Sequence, residues 1–133
     1  MDLKVIIDCF RPEDYEDIKV WCEKRSCPLI STESLSETGF IVKVREEKIM
    51  AGWFYHTNSN IAWLEFVITN PDSSSENRHQ ALDLFFETTV NYAKECGIKN
   101  LFAVADDNGI IERMQKQNFN VSNNKVFILG RSL

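Results

Sequence analysis

The sequence lacks any cluster of lysine and arginine residues and any long apolar run. Its formal net charge is -5. Because an acidic surface without a basic patch repels phosphate backbones, nucleic acid is not expected as a partner. No apolar stretch approaches the roughly 20 residues that a membrane-spanning helix needs, so no membrane partner is expected either. Residues Met1 to Lys4 show no signal-peptide pattern. These absences predict a soluble, cytoplasmic protein.

Also missing is any cysteine spacing typical of a metal centre or a redox pair. The four cysteines are Cys9, Cys22, Cys27 and Cys96. None forms a CxxC motif, and their spacings match no zinc pattern. We therefore expect no metal, and free thiols packed as small apolar side chains.

Internal repeats, low-complexity segments and linkers are absent as well. The chain has 133 residues, of which 44% are hydrophobic and 26% are charged. A chain of this size and composition can bury a single core. Residues 1–133 are therefore predicted to form one domain.

Hydrophobic periodicity indicates a mixed α/β chain. Period-two and continuous apolar runs predict strands at 3–10, 40–45, 49–57, 61–69 and 101–105, the last of them buried. Three- and four-residue spacing predicts helices at about 12–25, 74–96 and 107–117. A Ser-rich stretch at 30–37 has room for one short helical turn, and a closing hairpin is predicted at 119–129. Short polar turns between the second, third and fourth strands predict an antiparallel meander.

The stretch from Trp63 to Ala81 reads as a strand, a polar loop and the start of the longest helix. Such a junction directs unpaired backbone N–H groups and the positive end of the helix dipole at one point, which suits a phosphate-bearing ligand. The alternative is a plain strand-to-helix connection with a well-capped helix. The pair Ser73 and Glu76 has the spacing of a capping box, which would place a negative charge at the helix tip. The acidic residues Asp72 and Glu76 outnumber Arg78 within the loop.

With these residues at its junctions, the element order resembles the GNAT superfamily of acetyl-CoA-dependent N-acyltransferases. The resemblance covers nearly the whole chain. Without a gap, Glu65 falls on the acidic position of the acyl-CoA motif, Pro71 on its proline, and Ala81-Leu82 on its closing pair. Asp107, Ile111, Lys116 and Phe119 match the family's fifth strand and fourth helix in register. The resemblance implies a GNAT-like fold, with a central, mostly antiparallel twisted sheet of six or seven strands that splays between strands 4 and 5 and carries three or four helices.

The same alignment has departures. Ser74 stands where the family has Arg or Gln, and Ser75, Asn77 and His79 stand where it has glycines that let the backbone approach a diphosphate. Asp107 replaces the usual Asn. Met114 replaces a Tyr that commonly protonates the departing thiolate, and Met has no proton to give.

The resemblance implies direct acyl transfer from acetyl-CoA, as co-substrate, to the amine of a small molecule or protein. Glu65 is implied as the general base, and its apolar neighbours are expected to raise its pKa. A backbone N–H of the same strand would polarise the thioester carbonyl. The residues expected to bind the cofactor are Val67, Ile68, Thr69, Ser74, Ser75, Asn77, Arg78, His79, Asp107 and Met114. His56 is expected to be a surface residue rather than a second base.

A second reading comes from a different functional class. The departures also fit a catalytically degenerate GNAT-like binding or structural module, such as occurs among bacteriophage proteins, in which case the protein would belong to a virion. In either case a monomer or a homodimer is expected. Acceptor specificity is expected to lie in residues 26–37 and in the closing hairpin.

Overall fold

The computed structural model describes residues 4–105, 107–122 and 127–133. The strands are β1 (Val5–Cys9), β2 (Gly39–Val44), β3 (Glu47–His56), β4 (Ile61–Thr69) and β5 (Asn100–Ala103). The helices are α1 (Tyr15–Arg25), α2 (Ser75–Glu95) and α3 (Asn108–Lys116), with short 3-10 turns at Pro12–Asp14 and Thr32–Ser34. The strands form one sheet in the order β1-β2-β3-β4-β5.

The predicted meander is confirmed, because β1 to β4 pair antiparallel in sequence order. The fifth strand instead joins β4 in parallel, with α2 as the crossover. In the part of the chain that the structure describes, no helix is both long and apolar enough to cross a membrane.

Two apolar clusters cover the two faces of the sheet. On one face α2 buries Ala81, Leu82, Phe85 and Phe86 against β2, β3 and β4. On the other face α1 buries Ile18, Trp21 and Cys22 against Trp53 and Ile68, among others. The three- and four-residue spacing along both helices gives these buried faces.

A β-bulge interrupts the pairing of β3 with β4. Ala51 pairs with Ile68 and Trp53 pairs with Glu65, so Gly52 alone lies opposite Phe66 and Val67. Phe66 has a φ of 57°, in the left-handed region that bulky side chains rarely adopt. A bulge leaves its extra residue outside the regular hydrogen-bond ladder.

The sheet forks beside this bulge. The pairing of β4 with β5 ends at Leu64 and Ala103, whereas β4 continues to Thr69. The predicted splay between strands 4 and 5 is therefore confirmed, and Glu65 is the first residue of β4 beyond the paired region.

Two expectations about the end of the chain are wrong. The described residues contain five strands rather than six or seven, since 119–122 and 127–133 form no strand; residues 123–126 of the predicted hairpin lie outside the described residues. The fifth strand is also not buried, because among the described strands it pairs with β4 alone and Phe102 is 43% exposed. Its apolar run reflects an uncovered face at the sheet edge and not a central position.

Candidate functional site

The N-terminal tip of α2 is capped by Ser74, whose Oγ accepts a hydrogen bond from the backbone N–H of Asn77 at 3.1 Å. The cap is thus one residue later than in the predicted capping box. Ser73 instead donates its hydroxyl to the carbonyl oxygen of Asn70 at 2.6 Å. The backbone N–H groups of Ser75 and Glu76, at the first two helical positions, have no acceptor within the helix and remain suited to an anion.

A cavity of about 200 Å³ lies beside this tip. Three basic side chains line it, with one carboxylate: Arg25, Arg78, His79 and Asp107. Arg78 donates one hydrogen bond to the carbonyl oxygen of Ser73. Arg25 donates to the carbonyl oxygen and Oγ1 of Thr69 at 2.8 and 2.6 Å. A guanidinium has five N–H donors, so both arginines retain donors for a ligand.

The electrostatics of the tip differ from what the loop sequence indicates. Asp72 forms an ion pair with Lys24, and Glu76 is exposed and outside the cavity lining. Arg25, in contrast, reaches the cavity from the C-terminus of α1. Sequence reasoning missed Arg25, because nothing local marks a residue that is separated by 44 positions from the Thr69 it binds.

A larger, mainly apolar cavity of about 440 Å³ adjoins the first. Both cavities are lined by Arg25, Thr69, Asp107 and Ile110. The larger one extends along Phe66 to Thr69 of β4 and continues between α1 and the chain segment that follows it. The fork in the sheet thus opens onto a slot that leads from the helix tip toward Glu65.

Glu65 immediately precedes Phe66, the first residue of β4 that lines this slot. It pairs with Trp53 across β3 and β4, so the two side chains share one face of the sheet, and Trp53 and Phe66 line the larger cavity. Glu65 itself is half-buried and is not in the lining. Burial raises the pKa of its carboxyl group, as the sequence predicted. Burial also raises the pKa of the Tyr55 phenol, and the charge of Glu65 adds to that rise.

The predicted cofactor residues fall into two groups. Those that line at least one of the two cavities are Val67, Ile68, Thr69, Ser75, Arg78, His79 and Asp107. Ser74 and Asn77 line neither and instead form the helix cap. Met114 also lines neither cavity, because its side chain is buried in the core cluster with α2.

Asp107 has a structural role that accounts for its position. Its Oδ1 accepts a hydrogen bond from the backbone N–H of Ile110 at 3.1 Å and so caps α3. This bond directs the carboxylate toward its own helix, whose N-terminus then faces the same space as the tip of α2. Two helix N-termini therefore flank the small cavity.

His56 and the four cysteines do not line the small cavity. His56 is exposed and lies 3.2 Å from the Tyr92 hydroxyl on α2, away from Glu65, in agreement with a surface role. All four cysteines are free thiols, as predicted, but only Cys22 is buried; Cys9, Cys27 and Cys96 are exposed, so the expected packing as small apolar side chains is wrong for these three. Cys22 and Cys27 line the larger cavity, and burial raises the pKa of the Cys22 thiol to about 12, which makes it a poor nucleophile.

Sequence comparison alone does not assign the chain to a family. No protein-family model matches it, and no curated protein matches it.

Solved structures, in contrast, share its fold. A mutant of the protein TTHA1254 from Thermus thermophilus matches with a TM-score of 0.71 and 15% identity over 96% of this chain and 99% of that one. A ribosomal-protein-alanine N-acetyltransferase from Escherichia coli matches with a TM-score of 0.69 and 14% identity over 90% and 79%. N-acetylglutamate synthase from Neisseria gonorrhoeae, in complex with coenzyme A and L-arginine, matches with a TM-score of 0.64 and 17% identity over 90% of this chain and 28% of that one. The resemblance to GNAT acetyltransferases is therefore confirmed at the level of the fold.

Proposed function

We propose that this chain is an N-acyltransferase that transfers the acetyl group of acetyl-CoA to an amine of a small molecule or protein. The observation that carries the proposal is the pair of joined cavities, one cationic and at a helix tip, the other apolar and at the fork of the sheet. A ligand with an anionic diphosphate at one end and a long, weakly polar arm fits this arrangement, with the diphosphate in the small cationic cavity and the arm in the larger apolar one. The coenzyme A complex of N-acetylglutamate synthase, which shares the fold, supports the same choice.

In this proposal the diphosphate binds at the tip of α2. The N–H groups of Ser75 and Glu76 donate to it, and the guanidinium groups of Arg25 and Arg78 neutralise its charge. These side chains replace the close backbone approach that glycines would allow. The arm of the cofactor then follows Val67 to Thr69 of β4, where one edge of the strand has no partner among the described strands.

The acyl transfer itself needs few groups. Glu65 accepts a proton from the acceptor ammonium, directly or through water, and the free amine attacks the thioester carbonyl carbon. The bulge at Phe66 and Val67 supplies backbone N–H groups outside the regular ladder for the developing oxyanion. The C–N bond forms, the C–S bond breaks, and coenzyme A departs as a thiolate. The second proton of the attacking nitrogen then passes to this thiolate or to water. Because a thiol is far more acidic than an alcohol, with a pKa of about 8.5 for cysteine, the thiolate can leave without a Tyr at position 114.

A non-catalytic binding module is the second candidate. It is favoured by the buried position of Met114 and by the absence of Glu65 from the cavity lining. Such a module would still bind the cofactor but would not turn it over.

Replacement of the base separates the two candidates. With acetyl-CoA and a panel of amines, mass spectrometry of the products should show acetylation by the wild-type protein. Glu65→Gln should lower kcat by about 10²- to 10⁴-fold, since a positioned base contributes that much, and should leave the KM for acetyl-CoA nearly unchanged.

The matched control is Glu47→Gln, which alters an exposed carboxylate at the far end of β3 and should leave kcat unchanged. Cofactor binding without any acetylated product from the wild type would favour the non-catalytic module.

A further inference from the structure

One wall of the larger cavity is built by the 27–36 segment, which connects α1 to β2. It contributes Cys27, Pro28, Ile30 and Leu35 to the lining, and none of these four lines the small cavity beside the helix tip. Three hydroxyl groups attach this segment to the scaffold: Tyr15 donates to the carbonyl oxygen of Ile30 at 2.6 Å, Tyr55 donates to that of Ser34 at 2.9 Å, and Ser36 donates to that of Phe54 at 2.6 Å. Two of these bonds start from α1 and β3, so the wall is fixed relative to the face that carries Glu65. A preformed wall of this kind is typical of a ligand pocket.

The chemistry of this wall is apolar. The side chains that line it and the surfaces opposite are Ile18, Pro28, Ile30, Leu35, Trp53 and Phe66. Among the described residues that line the larger cavity, the charged ones are Arg25 and Asp107, and both belong to the end shared with the small cavity. The distal end therefore offers no carboxylate for a second cationic group of a ligand.

The position of the wall relative to Glu65 assigns the pocket to the acceptor. The cofactor arm enters from the tip of α2 and takes the Val67 to Thr69 side of the slot. The space that remains is bounded by Trp53, the register partner of Glu65, and by Phe66, its neighbour along β4. A molecule held there by its apolar part can present an amine to Glu65.

We infer that the acceptor is an amine attached to an apolar aliphatic or aromatic group, and that this group binds between α1, the 27–36 segment and the Trp53–Phe66 surface. The inference rests on the proposed function and names the substrate class of the same site. Multiply charged amines, such as polyamines, are poor acceptors because the apolar end of the cavity has no carboxylate to pair with a second positive charge.

Two adjacent residues provide a matched test. Ile30 lines the cavity, whereas Leu29 is 42% exposed and does not line it. With phenylethylamine as the acceptor, Ile30→Gln should raise the KM for the amine about tenfold, the usual effect of spoiling an apolar contact, and leave the KM for acetyl-CoA unchanged. Leu29→Gln should change neither KM.

The controls separate failure of this inference from failure of the proposed function. If the wild type acetylates spermidine at least as efficiently as phenylethylamine, the acceptor class is wrong although the acyltransferase function stands. If Ile30→Gln instead weakens the use of hexanoyl-CoA and leaves the amine KM unchanged, the pocket holds the acyl chain and the inference is overturned. If no amine is acetylated and calorimetry detects no binding of acetyl-CoA, the proposed function itself fails.

Discussion

At the scale of single residues, Glu65 combines two properties that a general base needs. It lies where β4 leaves β5 and directly before the bulged residues Phe66 and Val67, both of which line the slot. Its pKa is raised by burial, which brings it closer to neutral pH and makes the carboxylate a stronger base. Neither property depends on a neighbouring charged group.

The raised pKa has a direct consequence for the pH dependence of the reaction. In the proposed reaction Glu65 acts as a base only when it is deprotonated, so kcat/KM should fall as the pH drops through its pKa. Because burial raises that pKa from 4.5, the acidic limb of the pH profile should be centred above pH 4.5.

In a pH series of initial rates, Glu65→Gln should abolish this limb and keep any limb that belongs to the amine substrate. A limb that persists in Glu65→Gln would assign it to another group.

The sequence predicted residues whose role follows from position along one element. The pattern from Trp63 to Ala81 predicted where β4 ends and where α2 begins. It could not predict Arg25, because that guanidinium enters the site through tertiary packing of α1. The core position of Met114 agrees with the amphipathic pattern of α3, in which Ile110 and Met114 lie four residues apart on the apolar face, rather than with its match to the family's Tyr.

At the scale of elements, the bulge between β3 and β4 depends on a glycine. Gly52 is opposite the two bulged residues, and a Cβ at this position would lie 2.5 Å from Cζ of the fully buried Phe85. A larger side chain would therefore require the Phe85 ring, or the helix α2 that carries it, to move away from the sheet.

We expect Gly52→Ala to destabilise the fold. Overpacking of a closed core typically costs about 1–3 kcal/mol, so the urea midpoint should fall without a change in the m-value.

Gly130→Ala is the control, because no heavy atom lies within 4 Å of its added Cβ. An unchanged midpoint for Gly52→Ala would mean that Phe85 and the bulge can rearrange, and that the glycine is not needed.

Element boundaries could be predicted where a long periodic stretch ended at a polar turn or at a residue that stops a helix. Residues 61–69 were predicted as a strand, and β4 has those bounds; α1 ends at Arg25 as expected. The error at β5 has a physical origin. A short apolar run has the same pattern whether both faces are buried or one edge is uncovered, so Phe102 and its neighbours could not reveal their exposure.

At the scale of the whole molecule, the candidate site exists only because three parts of the chain converge. The C-terminus of α1 supplies Arg25, the end of β4 supplies Thr69, and the tip of α2 supplies Arg78. The fold and the position of Glu65 on β4 could be predicted from one linear pattern. The positive charge of the small cavity could not, because it arises only when these three parts of the chain come together. It offsets the acidic residues that made the loop look unsuited to a diphosphate.

The most direct measurement is isothermal titration of acetyl-CoA into the wild-type protein, Arg25→Gln and Lys19→Gln. Each substitution removes one positive charge from α1, but Arg25 lines the cavity, whereas Lys19 pairs with Glu16 on its own helix and lines neither cavity. We expect saturable binding by the wild type with a Kd between about 1 μM and 1 mM, the range usual for enzyme substrates. Arg25→Gln should weaken it about tenfold, as loss of a charge-assisted hydrogen bond does, and Lys19→Gln should not. No saturable heat from the wild type at about 1 mM acetyl-CoA, the upper end of that range, or equal weakening by the two substitutions, would contradict cofactor binding at the tip of α2.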